Sequence, residues 1–321
     1  MIHSIALYES NSFDPHYNLA VEQVLLESVK DQCILYLWQN EHTVVIGRNQ
    51  NPWKECRTTL LSQEGGYLAR RLSGGGAVFH DLGNLNFTFL MPQEDYDVER
   101  QLSVIQKAVC SLGIPAEKSG RNDILAQGRK FSGNAFYKNG KQAYHHGTLL
   151  VDGNLEQLNR YLSPSKAKLQ AKGVDSVRSR VINLKELNPD ITIPSLKNAL
   201  TEAFVQVYGL PLEKLSEAAL HTEAIDALTL RNRSWQWNYG QKMPFTWERE
   251  ERFPWGCVQI HLQVEGGRIK DAKIFSDAMD WSWVSEAEAV IKDCPFERKA
   301  LQERLEGILV AEDLLDMLFS V

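Results

Sequence analysis

The 321-residue chain has little of several things, and each shortage removes a class of function. No stretch approaches the roughly 20 continuous apolar residues that cross a bilayer. The opening "MIHSIALYESNSFD" has no basic region followed by an apolar core, so a cytoplasmic protein with no membrane segment is expected. Cysteine is scarce, with five residues and no C-x-x-C pair. That argues against a disulfide framework or a zinc site of that type, and reads as reduced, mostly buried thiols. Basic charge is in deficit, the formal net charge being −6; nucleic acid is not expected as a partner, and any anionic ligand needs a local basic cluster. The glycine-rich segment near residue 74 is followed by no Gly-Lys-Ser/Thr and does not fit G-x-G-x-x-G, so neither the P-loop nor the dinucleotide fingerprint is present.

What is present starts at Arg70 with "RRLSGGGAVFHD". Consecutive glycines are costly to order, which suggests that something approaches this backbone closely. Their N–H groups can cradle phosphate oxygens, and Arg71 can add a bidentate contact. A glycine-rich bulge between strands is the structural alternative. Upstream, "FDPHYNLAVEQVLLESVK" has Asp14 as a helix N-cap and Pro15 at the first helical position, and Tyr17, Ala20, Val21, Val24 and Leu25 form one buried face. "CILYLWQN" and "HTVVIGRNQNPW" read as strands, and "NLNFTFLM" alternates Leu85, Phe87 and Phe89 with Asn86 and Thr88, giving a strand with one polar face. "DVERQLSVIQKAVCSLG" returns to helical period, ends at Gly113, and carries Cys110 as a buried structural thiol. Helices and strands therefore mix through the first two thirds of the chain, as in an α/β or α+β sheet domain.

In "RKFSGNAFYKNGKQAYHHGTLLVD", Asn139 and Gly140 mark a hairpin turn. Pairing Lys138 with Lys141 puts Lys130, Ser132 and Asn134 on one face with His145, and Gly133 opposite His146. A bulge would shift this register, so the pattern leaves open which histidine joins Lys130. "YLSPSKAKLQAKGVDSVRSRVINL" then sets Lys166, Lys168, Lys172, Arg178 and Arg180 against Asp175, with Gly173 as a possible hinge. It reads either as a solvated polar segment or as a mobile cationic loop closing over an anion. Past residue 230, "SWQWNYGQKMPFTWEREERFPWG" gathers Trp235, Trp237, Trp247 and Trp255, an aromatic set suited to interdomain packing. "CVQIHLQVEGGRIKDAKIF" is a hairpin turned at Glu265, Gly266 and Gly267, and the remainder has helical period.

Taken together, "RRLSGGGAVFHDLGNLNFTF", "GRNDI", "RKFSGNAF", "HHGTLL", "LQAKGVDSVRSRVINL" and "WQWNYG" with "ERFPWG" resemble, in the same order, the bacterial lipoate–protein ligase A family in its long form. The resemblance implies an α/β (α+β) fold: a mixed-sheet catalytic domain of the biotin ligase and class II synthetase type over residues 1–243, and a small α/β accessory domain over 244–321. It implies a two-step reaction in which lipoate and ATP with Mg2+ form lipoyl-AMP, after which a lysine of a carrier domain takes the lipoyl group. The implied carriers are the lipoyl domains of 2-oxo acid dehydrogenase E2 subunits and the glycine-cleavage H protein, and the implied state is a monomer.

Carried over by position, the nucleotide contacts fall on Arg71 and the Gly76, Ala77, Val78, Phe79 run, and the catalytic lysine of the "K-x-S-G" motif is Lys130, which also touches lipoate. Ser73, His80 and His146 fall at the lipoate pocket, Asn84 at a further motif position, and Lys172, Gly173, Arg178 and Arg180 in the loop over the adenylate. Asp123 is a candidate for magnesium or the ribose, or is simply a turn carboxylate. A thioester-forming octanoyl or lipoyl transferase needs a pocket cysteine, and residues 111–256 contain none. A transferase accepting premade lipoyl-AMP shares these motifs and stays open. Retention of Lys130 and Arg71 argues against a noncatalytic adenylate-binding module.

Overall fold

The computed structural model describes residues 2–119, 123–163, 181–240 and 245–319. The first half runs β1 (Ser4–Glu9), α1 (Pro15–Ser28), β2 (Gln32–Trp38), β3 (Thr43–Ile46), α2 (Pro52–Glu55), α3 (Thr58–Gln63), β4 (Tyr67–Arg70), β5 (Val78–His80), β6 (Asn84–Pro92), α4 (Val98–Ser111), β7 (Glu117–Ser119), β8 (Asp123–Ala126), β9 (Arg129–Lys138) and β10 (Gln142–Leu150). It continues through α5 (Leu155–Tyr161), α6 (Ile193–Tyr208), β11 (Leu212–Lys214), α7 (Thr222–Arg233) and α8 (Trp235–Tyr239), then β12 (Trp247–Phe253), β13 (Gly256–Glu265), β14 (Arg268–Ser276), α9 (Trp283–Ile291), α10 (Arg298–Leu305) and α11 (Ala311–Phe319).

These strands make the mixed α/β architecture expected: an eight-stranded sheet in the order β11-β1-β2-β6-β10-β9-β8-β7, a small β4-β3-β5 sheet, and a C-terminal meander β12-β13-β14. One face of the large sheet buries Leu35, Phe87, Phe89 and Phe131 against Ile105 of α4 and Phe204 of α6. The C-terminal unit closes its own core, with Ile260 and Ile274 of the meander against Trp283, Leu301 and Leu314 of the helices that follow. Among the described residues no helix is long and apolar enough to cross a membrane.

Local rules explain the secure parts. The carboxylate of Asp14 accepts the His16 N–H at 2.9 Å and Pro15 occupies the first turn, so α1 starts where the cap places it. Gly266 and Gly267, both with positive φ (56° and 74°), make the two-residue turn between β13 and β14. The one polar face read for β6 is there, and because every residue of β6 is buried its Asn and Thr side faces a protein-lined space. Three expectations are corrected. α1 is buried nearly all round, because α7 covers the side turned away from the sheet. The hairpin of β9 and β10 pairs Lys138 with Ala143 and not Lys141; the Asn139 side chain accepts the Gln142 N–H at 2.8 Å and so holds a four-residue loop. Cys110 lies on α4 but is exposed, since Ala108 and Val109 take the inward positions of that turn.

The C-terminal unit meets the large sheet's domain through the glycine loop. The N–H of Gly75 donates to the Ala278 carbonyl at 3.1 Å, and a Cβ on Gly74 would lie 2.2 Å from that same oxygen. Trp281 stacks on Tyr137 of β9 with centroids 5.7 Å apart, and the Arg48 guanidinium lies between Trp281 and Trp237. Backbone flanks the Gly74 contact on both sides, so Gly74→Ala is expected to cost about 1–3 kcal/mol through forced separation. Limited proteolysis and thermal unfolding would read this as earlier release of the C-terminal unit; an unchanged profile would contradict the close-packing account.

Candidate active site

The loop after β4 is built around a buried guanidinium. Arg71 donates to Ser73 Oγ at 3.0 Å, Gly74 O at 2.8 Å, Gly76 O at 2.7 Å and Val45 O at 3.3 Å. Burial lowers its pKa to about 10, so it remains cationic at neutral pH. Arg71 lines the cavity, but in this conformation most of its donors are occupied in folding the loop. The glycines divide their work: Gly74 and Gly75 admit the C-terminal unit, while Gly76 has open space where a side chain would be and lines the cavity. Ala77 and Val78 line it too. The Phe79 side chain turns the other way, into a cluster with Val44, Ile46 and Tyr161, which leaves only its backbone available to the site.

A bulge places the lysine. β8 pairs Ile124 with Ser132 and then Leu125 with Lys130, so Phe131 is the extra residue. Phe131 drops into the core, and Lys130 moves to the opposite face from the one simple alternation would give. Its ammonium lies across Gly133, where a Cβ would come within 2.8 Å of Nζ, and pairs with Asp123 Oδ1 at 2.6 Å. Glycine at 133 is thus the residue that lets the lysine lie flat on the sheet.

The same shift decides between the histidines. His146 lines the cavity with Lys130, whereas His145 lies on the other face among Phe87, Phe89 and Phe136, held by Gln101 at 3.0 Å and Asn134 at 2.8 Å. Burial drives the His145 pKa down to about 3. His146 Nδ1 sits 2.8 Å from the buried Glu22 carboxylate, which also accepts from Thr88 Oγ1 at 2.7 Å, and its Nε2 lies 2.9 Å from Ser73 Oγ. Ser73 itself is fully buried and does not line the cavity, so it supports His146 and the loop from behind.

The cavity, about 190 Å3, has a floor made by one row across the sheet. Trp38 of β2 pairs with Asn86 of β6, which pairs with Thr148 of β10, whose Oγ1 accepts the Gly133 N–H of β9 at 3.3 Å. Lys130 stands at the Gly133 end of this row and Trp38 at the other, and Leu19 and Val45 also line the cavity. His80 and Met279 complete the wall. Asn84 sits behind Asn86, donating to its side-chain oxygen at 2.9 Å.

Lys172, Gly173, Arg178 and Arg180, with the rest of residues 164–180, lie outside the described residues. The chain on either side is placed: Ser163 N–H donates to Glu55 O at 2.9 Å, and Ile182 N–H to Lys130 O at 2.9 Å. The segment therefore rejoins the described fold directly beside the lysine. Sequence reasoning missed Trp38, Thr148, Glu22 and Met279 as site residues. Glu22, an acid set among Leu19, Ala20, Val21, Val24 and Leu25 on α1, was a usable signal; Met279 had none, because it arrives from a separate unit.

Two family models match the chain: the lipoyl protein ligase A/B catalytic domain over residues 14–205 and the bacterial lipoate protein ligase C-terminus over residues 242–317. Among solved structures, P. falciparum LipL1 in complex with lipoate is 29% identical with a TM-score of 0.85, covering 97% of each chain. The bipartite lipoate protein ligase of Thermoplasma acidophilum, solved in a study that includes its E2 lipoyl domain, is 25% identical with a TM-score of 0.63 over 77% of this chain and all of that one. A lipoate-protein ligase A bound with ATP is 25% identical with a TM-score of 0.62, over 75% of this chain and 99% of that one.

Proposed function

The chain belongs to the lipoyl protein ligase A/B family, and from that premise we propose that it is an ATP-dependent lipoate–protein ligase that activates lipoate to lipoyl-AMP and transfers the lipoyl group to a carrier lysine. The observation that carries this reading is the placement of the Lys130 ammonium, lifted by the Phe131 bulge onto the cavity side beside Gly133. In the first step the lipoate carboxylate attacks the α-phosphorus and pyrophosphate leaves. In the second the carrier amine attacks the acyl carbonyl and AMP leaves. Both transition states gather negative charge on oxygens around one point, and an ammonium already fixed there stabilises both.

In this reading Arg71 and the backbone of Gly76, Ala77, Val78 and Phe79 bind the adenylate, and His80 and His146 bind the acyl chain. Ser73 orients His146. Lys172, Gly173, Arg178 and Arg180 cover the mixed anhydride and keep water from it. Asp123 fits a magnesium role, because Mg2+ is commonly held by one or two carboxylates together with substrate phosphates, and its oxygen already lies at the lysine. When bound, the ion would neutralise phosphate charge. The proposed carriers are E2 lipoyl domains and the glycine-cleavage H protein, met by a cytoplasmic monomer. Release of pyrophosphate from ATP on addition of lipoate and Mg2+, abolished by chelating the metal, is the expected result. Absence of release, with transfer from synthetic lipoyl-AMP intact, would replace the ligase by a transferase that lacks the activation step.

A further inference from the structure

Two polar groups at the Trp38 end of the cavity carry donors for which the reading above names no acceptor. His80 is 3% exposed, its Nε2 has no hydrogen-bond partner among the described residues, and it lines the cavity with its ring edge-on to Trp38 at 6.3 Å. Asn86, on the floor beside it, likewise has an unpartnered side-chain nitrogen. Buried donors left without acceptors are costly, and for two that belong to cavity-lining residues a bound ligand is a ready source of the acceptor.

The protonation of His80 follows from a chain of oriented amides. Asn18 Nδ2 faces the Ser12 and Gln39 carbonyls at 2.9 and 2.8 Å, groups that only accept. The same nitrogen lies 3.1 Å from Asn40 Oδ1, which turns Asn40 Nδ2 toward His80 Nδ1 at 3.2 Å. An amide nitrogen cannot accept, so Nδ1 carries the lone pair and the proton sits on Nε2. The charged form is also suppressed, since burial and the nearby Arg71 and His146 lower the His80 pKa to about 3. The groups facing this ring are Arg71 from the loop after β4, Asn40 and Trp38 from β2 and its end, and His146 from β10 with Glu22 of α1 behind it. His80 is therefore a neutral donor of fixed direction across the physiological pH range.

We propose that His80, with Asn86 beside it, is a specificity-determining donor site for the sulfur atoms of the acyl chain, selecting the dithiolane of lipoate over the all-carbon tail of octanoate. This rests on lipoate being the acyl substrate with its carboxylate at Lys130. The floor row then spans three strand spacings, about 14 Å at ~4.8 Å each, and sets the far end of the chain against Trp38 and His80. A ring sulfur offers a weak acceptor to Nε2–H, whereas a methyl terminus buries the donor unsatisfied. Asn40 acts as a positioning residue through the tautomer it imposes.

The test is direct binding of lipoate and octanoate to the full chain. The wild type is expected to favour lipoate by roughly tenfold, with a ratio flat from pH 6 to 8 [~; P134]. His80→Phe is expected to bring the ratio close to one, mainly by weakening lipoate. Asn40→Asp keeps the acceptor for Asn18 but draws the His80 proton to Nδ1, so its lipoate preference should vanish at the upper pH and return as the ring protonates on acidification. A wild-type ratio near one, or an unchanged ratio in His80→Phe, would overturn the proposal. If His80→Phe does not fold, a flat, wild-type ratio in Asn40→Asp overturns it. Binding of neither acid by the wild type would instead remove the lipoate reading itself.

Discussion

Lys130→Ala is expected to slow pyrophosphate release from lipoate and ATP by about 10²–10³-fold and to slow transfer from synthetic lipoyl-AMP by a similar factor, since one preorganised cation serves both transition states. The fold should be unaffected. The side chain is half-exposed and its ion pair with Asp123 is solvent-accessible, a class of contact worth less than about 1 kcal/mol. The expected signature is therefore an unchanged thermal midpoint with both half-reactions lost together. Loss of activation alone, with transfer at the wild-type rate, would confine Lys130 to the first step. Normal turnover in both would refute its assignment.

Arg70→Ala is expected to be the most destabilising single substitution near the site, at about 3–5 kcal/mol, and to lower the thermal midpoint by roughly 10 °C. Arg70 is 1% exposed. Its guanidinium donates to the carbonyls of Gly47, Arg48 and Gln50 at 3.1, 2.9 and 2.8 Å, and to those of Trp237 and Asn238 at 3.1 and 2.6 Å. It thereby ties the turn after β3 to α8, and Trp237 Nε1 returns a bond to the Arg70 carbonyl at 3.0 Å. Removing it leaves several buried carbonyls without donors. Arg70→Lys should rescue little, because a single ammonium cannot reproduce the planar fork. A midpoint within a degree or two of wild type, as surface substitutions give [~; P201], would contradict this role. The adjacent arginines are thus separable: Arg70 holds the scaffold, and Arg71 shapes the loop that faces the ligand.

How much of this was legible in the sequence depended on how local the cause was. The cap at Asp14 and Pro15, the Gly266–Gly267 turn and the alternation of β6 are set by neighbours within a few residues, and they were readable. The four-residue loop at Asn139 was not, because an asparagine followed by glycine also suits a two-residue turn and only the cross-strand pairing to Ala143 separates the two. The Phe131 bulge was equally hidden: it depends on β8 and on how well Phe131 fills the core, yet it decides that His146 and not His145 shares the cavity with Lys130. The glycine loop was noticed for a sound reason, a close approach, but two of its glycines answer to Ala278, more than 200 residues away in sequence. Likewise, alternation gave β6 a polar face but not its role; it is a cavity floor because β3, β5 and the glycine loop stand over it.

The measurement that tests the central claim most directly is the mass of an apo lipoyl domain after incubation with the protein, lipoate, ATP and Mg2+, beside a second reaction in which synthetic lipoyl-AMP replaces lipoate and ATP. The account predicts a gain of one lipoyl group on the carrier in both reactions, formed far more slowly in both when Lys130 is alanine. A gain in the second reaction only would contradict the activation step, and a gain in neither would contradict the assignment of this cavity to lipoyl transfer.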